Sequence, residues 1–209
     1  AWLLLPQQRL RSVVAGRVFR DDLGLETVRR RLAWYPRDVW LYLLASGWSR
    51  IGEDEHLMGR AGFVGDELGS AIIGARLARD VMRMAFLLER VYAPYATWLG
   101  TAFGELACAR GLREPLETAV RASDWRSRDA ALAQAYEQLA RTQNELGLTE
   151  PLPTDATPFH DRPFHVIQGE RLRDALRAEI QGETMRRIAA ERLIGNIDFV
   201  SDSTDLLED

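Results

Sequence analysis

The chain has 209 residues, of which 46% are hydrophobic and 28% charged, enough for one domain with a substantial core, or one and a small appendage. Its formal charge of −4 excludes a bulk electrostatic preference for nucleic acid or anionic lipid and leaves room only for a local basic surface. All 27 basic residues are arginine, a bias that a GC-rich genome produces without any binding role.

The opening AWLLLP is too short and lacks the basic leader of a signal peptide, and no apolar run reaches membrane-spanning length. The sequence starts at Ala1 and not at methionine, so it is expected to be part of a longer protein. A short helix is predicted from Pro6 to Ala15, with Gly16 just beyond it. LETVRRRLAWYP reads as helical until Pro36, and a strongly apolar helix follows from Arg37, with Gly47 as a soft point and breaks at Gly59 and Gly62.

Asp66 or Glu67 is suited to cap the next helix and complement its dipole, and the apolar pattern there continues to Val91. Pro94 restarts a helix that is expected to break at Gly111. REPLETAVRA is a short helix, and Ser123 is the predicted N-cap of the helix beginning DWRSRDAAL. TEPLPTDATPFHDRP is a loop leading to a C-terminal pair of short helices and an irregular acidic end. VFR and FHVI are too short to build a sheet. The expectation is an all-α, multi-helix bundle over residues 1–150, with residues 151–209 packed on the same bundle.

Several residues invite chemistry. At about 100° per residue, Arg76, Arg79, Arg83 and Arg90 fall in one stripe, while Ile73, Leu77, Val81, Met84 and Leu88 lie on another side. That stripe is either a solvated face or a surface turned to a neighbouring domain or ligand, where guanidinium forks take phosphate or carboxylate. Asp80 and Glu89 are near enough in sequence to pair with it. Tyr92, Tyr95 and Trp98 can stack on a base or sugar, or pack the junction between two helices.

Glu53 and His56 make a single Glu-x-x-His, whereas a dimetal bundle needs two, so no metal is assigned to this chain. His160 and His165 sit on a loop without a defined acidic partner. Cys108 is the one cysteine, which excludes an internal disulfide, fits a reducing cytoplasm and reads as a buried structural thiol. Arg50 and His56 have the spacing of helical ribonucleases of the HEPN group, although Ile51 stands where that motif has a polar residue. Gly69-Ser70 followed by Asp80 approaches the metal motif of polymerase-β-type nucleotidyltransferases, but Met82 replaces the second carboxylate and the segment is helical. GxxxxGK[ST], GxSxG, CxxC and HExxH are absent.

WYPRDVWLYLLASGWSRI, the long segment from GRAGFVGDELGS to YATWLGTAF, FHDRPFHVI and IGNIDFVSDSTDLL occur in that order from about Leu32 to Leu207. Together they resemble the bacterial family called domain of unknown function 4037. The resemblance implies a helical region that follows a nucleotidyltransferase-like domain in the same protein. That domain would carry the catalytic carboxylates, Mg²⁺ and the NTP, leaving no catalytic residue and no cofactor in this chain. By the same implication Arg76, Arg79, Arg83, Arg90, Tyr92, Tyr95 and Trp98 are candidates to face nucleotide or acceptor. Asp66 or Glu67 is a candidate to act on an acceptor hydroxyl, or only to cap its helix.

The activity implied for the whole protein is transfer of a nucleoside monophosphate to a small-molecule or protein acceptor. The partner is then the preceding domain, with no membrane, nucleic acid disfavoured, and self-association through an exposed apolar helix face as an alternative role. A HEPN-like ribonuclease is the third reading.

Overall fold

The structure is a computed structural model, and it describes residues 2–202. A 3₁₀ turn at Trp2–Leu4 precedes ten helical elements in chain order. They are α1 (Gln7–Val14), α2 (Leu25–Leu32), α3 (Arg37–Phe63), α4 (Glu67–Leu88), α5 (Ala96–Phe103), α6 (Ala109–Arg121), α7 (Trp125–Glu145), α8 (Gly169–Ala178), α9 (Glu183–Glu191) and α10 (Ile197–Val200). Two-residue strands, β1 (Thr157–Pro158) and β2 (His165–Val166), pair antiparallel between α7 and α8. The fold is an all-α bundle. Residues 203–209 of the expected acidic end lie outside the described residues, and α10 adds a helical turn to its start.

The bundle is organised around α3, which at 27 residues is about 40 Å long. Pro36 supplies its start, since proline lacks an N–H that would otherwise go unpaired there. From Val39 to Ser49 every residue of α3 is buried, so the helix has no solvent face over that stretch. Helices α4, α7 and α8 pack around it. Two indoles fasten it: Trp40 Nε1 donates to the Leu87 carbonyl at 2.7 Å, and Trp48 Nε1 donates to Gln143 Oε1 at 2.6 Å. Each bond satisfies a polar atom that burial would otherwise leave without a partner.

The soft point predicted at Gly47 and the break at Gly59 do not appear, while α3 ends at Phe63, one residue beyond the break predicted at Gly62. Glycine interrupts helices where backbone freedom is unopposed, but in α3 each missing side chain admits a neighbour. Met84 of α4 fills the space at Gly47, Phe164 that at Gly59 and Trp125 that at Gly62. The break expected at Gly111 is likewise absent, because Gln138 of α7 packs there and α6 runs on through Pro115 to Arg121. The chain turns earlier, between Phe103 and Ala109, where Glu89 accepts the backbone N–H of Ala107 (3.0 Å) and Cys108 (2.6 Å). Glu89 therefore caps α6 and does not pair with the arginines. The N-cap of α7 is Asp124, one residue after the predicted Ser123, and it accepts the Ser127 N–H at 2.9 Å.

The N-terminal hairpin is held differently. Helix α2 buries no residue; Asp21 accepts the N–H groups of Leu25 and Glu26 at its start. Arg29 extends from α2 to the C-terminus of α1 and donates to the carbonyls of Val13, Val14, Ala15 and Gly16. One guanidinium thus satisfies the orphan carbonyls of a helix end.

Candidate functional site

The arginine-rich side of α4 meets α3 on one flank and the segment after α10 on the other. Arg50 of α3 donates through Nε to Asp80 Oδ2 at 2.8 Å and through Nη1 to the Phe199 carbonyl at 2.8 Å. Asp80 is only 3% exposed, so its charge is compensated where water cannot reach it. Arg76 pairs with Asp54 at 2.7 Å.

Arg79 and Arg83, one helical turn apart, converge on a single carboxylate. Asp202 Oδ2 accepts from Arg79 Nη1 at 2.6 Å, and Asp202 Oδ1 accepts from Arg83 Nη2 at 2.8 Å. Burial, and then the Arg79 cation, push the Arg83 guanidinium below its ordinary value. Burial opposes ionisation of Asp202, but the two arginines outweigh it and hold the carboxyl below the usual range. Arg90 leaves the stripe: α4 ends at Leu88, Arg90 adopts φ 56°, and its guanidinium lies 4.2 Å from the Trp40 ring centroid.

Beside this network a polar groove of about 670 Å³ opens between α3, α8, α9 and α10. Ser46, Ser49, Arg50 and Glu53 of α3 form one wall, Arg173 and Arg177 of α8 another, and residues 189–194 with Phe199 and Val200 the remainder. Arg173 is engaged by Asp174 at 2.9 and 3.1 Å. Arg177 has no hydrogen-bond or ion-pair partner among the described residues and is one of the cations lining the groove.

The other predicted residues lie elsewhere. Tyr92 is buried, donates its hydroxyl to the Leu32 carbonyl at 2.9 Å, and packs edge-on to Tyr35 at 5.2 Å. Tyr95 is the N-cap of α5, and its hydroxyl accepts from Trp98 Nε1 at 3.2 Å, beside a shallow depression with Gln8 and Arg11. Asp66 caps α4 by accepting the Gly69 N–H at 2.7 Å. Glu67 reaches α7, where it accepts the Trp125 N–H at 3.2 Å and faces Arg128 at 3.4 Å. Arg50 and His56 have different neighbours, since the His56 ring stacks on Phe159 at 4.9 Å. Burial and then Glu89 push the Cys108 thiol far above its ordinary value, which makes it a poor nucleophile.

Two acidic groups not singled out from the sequence organise the hairpin. Asp129 of α7 supplies the partner that His165 lacks in the linear sequence: its Oδ2 lies 2.7 Å from His165 Nδ1, and its Oδ1 accepts the His165 N–H at 3.0 Å. Burial raises the Asp129 carboxyl, with its bonds to His165 acting in the opposite direction. Glu55 of α3 accepts the N–H of Ile167 at 2.6 Å and of Gly169 at 3.2 Å, anchoring the start of α8. Burial pushes Glu55 up to about 7. The only local signal for either is a charge on a helix side otherwise given to core residues. Among the described residues no group of three or more His, Cys, Asp or Glu is placed to hold a metal, and no helix is long and apolar enough to cross a membrane.

In the comparison with known families, residues 2–99 fit the model described as Domain of unknown function (DUF4037). It covers the N-terminal part of the resemblance read from the sequence. No curated protein and no solved structure matches the chain.

Proposed function

This chain belongs, through residues 2–99, to the DUF4037 family, and from that premise we propose that it is the helical, substrate-side domain of a bacterial, cytoplasmic nucleotidyltransferase. In the whole protein an acceptor attacks the α-phosphorus of an NTP, a bond from acceptor to phosphorus forms, and pyrophosphate leaves. The catalytic carboxylates belong to another domain of that protein. Mg²⁺ and the NTP go with that domain.

The observation that supports this reading is the groove between α3, α8 and α9, lined by Arg50, Arg173 and Arg177 together with Ser46 and Ser49, where Arg177 has no hydrogen-bond partner among the described residues. Such a surface suits the anionic or polyhydroxylated part of a substrate, held by forked donors and small hydroxyls. Incubating the full-length protein with labelled ATP or GTP and Mg²⁺ tests it. Label transferred to an acceptor, and lowered at least tenfold by Arg177→Ala, is the expected result. Pyrophosphate release by the 209-residue chain alone would overturn the assignment of catalysis to another domain.

A second reading, a binding or self-association module, is favoured by one feature. Leu68 and Ile72, one turn apart at the start of α4, are exposed by 74% and 62%, and Val64 in the turn before that helix is exposed by 79%. Light scattering across concentration distinguishes it: self-association abolished by Leu68→Glu would support this role, and a monomer at every concentration would count against it.

A further inference from the structure

We propose that Arg79 and Arg83 form an anion site for a phosphate-bearing ligand, and that Asp202 is the chain's own occupant of that site. The inference needs only this chain and does not depend on the transferase reading.

The geometry is that of a bound anion. Each oxygen of the Asp202 carboxylate is taken by a different guanidinium, at 2.6 and 2.8 Å, from successive turns of one helix. Two forked donors converging on a pair of oxygens of one group is how arginines hold phosphate as well as carboxylate. The Arg83 side chain is 14% exposed, so this cation requires an anion in contact with it. Asp202, by contrast, is 56% exposed and lies on the extended segment after α10, where it is accessible to displacement from solvent.

The neighbouring charges set the requirement. Asp80 lies 3.7 Å from Arg79 Nε, but its other oxygen is engaged by Arg50 at 2.8 Å. Asp198 also acts on Arg83 while accepting the Gln7 N–H at 3.0 Å. With Asp202 withdrawn, three arginines face these two carboxylates, and an incoming anion restores the balance. A ligand phosphate therefore competes with Asp202, and the site is occupied in either state.

Titration calorimetry of the chain with inorganic pyrophosphate tests the proposal, using wild type, Asp202→Ala, and Asp202→Ala combined with Arg79→Gln. Asp202→Ala is expected to bind pyrophosphate at least tenfold more tightly than wild type, and Arg79→Gln to remove that gain. Far-UV circular dichroism confirms that each variant is folded. A parallel titration with ATP separates the sources of the phosphate: tighter binding than pyrophosphate assigns the ligand as a nucleotide, equal binding as phosphate alone. If Asp202→Ala only lowers the melting temperature and gains no affinity, Asp202 is a structural tether and the proposal fails. Affinity gained but insensitive to Arg79→Gln overturns it equally, since the anion then binds elsewhere.

Discussion

Asp129 holds His165 through both carboxylate oxygens, one on the backbone N–H at 3.0 Å and one 2.7 Å from Nδ1, and so ties the β1–β2 hairpin to α7. The aspartate is buried and the histidine half exposed, which makes the two ends of the contact unequal. Replacing Asp129 by alanine leaves a partly buried N–H without its acceptor and is expected to cost about 1–2 kcal/mol. Replacing His165 by alanine keeps the backbone bond and is expected to cost less. Urea denaturation of the two variants checks this; equal losses would show that the backbone bond contributes nothing.

Glu55 carries a pH dependence of known sign. Its folded value of about 7 lies above the ordinary 4.5, so the folded chain binds the proton more tightly than the unfolded chain. The stability this contributes is fully present below pH 4.5 and is lost as pH rises to about 7. Wild type is therefore expected to lose up to about 3 kcal/mol relative to Glu55→Gln across that interval. Denaturation of both proteins at pH 5 and 7.5 measures it, and parallel pH curves would contradict it.

Glycine positions are expected to separate by what stands opposite. At Gly62 a methyl group would meet the base of the Trp125 side chain, which cannot swing away, so Gly62→Ala is expected to destabilise by about 1–3 kcal/mol. Gly100 lies inside α5 with nothing within 4 Å, and Gly100→Ala is expected to stabilise by about 0.5–1 kcal/mol. Thermal melts that moved in the same direction for both would refute the packing argument.

Arg29→Ala should act locally. Because α2 buries nothing and Arg29 joins it to the end of α1, the expected result is faster amide hydrogen exchange over residues 13–32 with little change in global stability. Unchanged exchange there would mean that the hairpin is held by other contacts.

Local features were legible from sequence because their causes are local. Asp66 sits at the start of an apolar helical pattern, and its capping role follows from residue type and position alone. The spacing of Arg76, Arg79 and Arg83 likewise follows from the helical period. Their counterions do not: Asp202 is 119 residues from Arg83, and Asp129 is 36 from His165. Periodicity carries no information about which distant carboxylate arrives. Gly47 and Gly59 of α3 misled for a related reason, since a residue that frees the backbone also admits a neighbour, and only the neighbour decides between the two. Tyr92 and Trp98 share an aromatic run, yet one is buried against Tyr35 and the other is 54% exposed, a division set by the turn between α4 and α5.

The two indole bonds of α3 also give the molecule an internal optical reporter. Trp40 faces α4 and Trp48 faces α7, each shielded from water and each bonded to a specific oxygen. Emission from both is expected at short wavelength while α3 is seated. Subtracting the emission of a variant with phenylalanine at position 40 or 48 from that of the wild type removes the other tryptophans and isolates each reporter, so that parting of α3 from α4 and parting of α3 from α7 are followed separately.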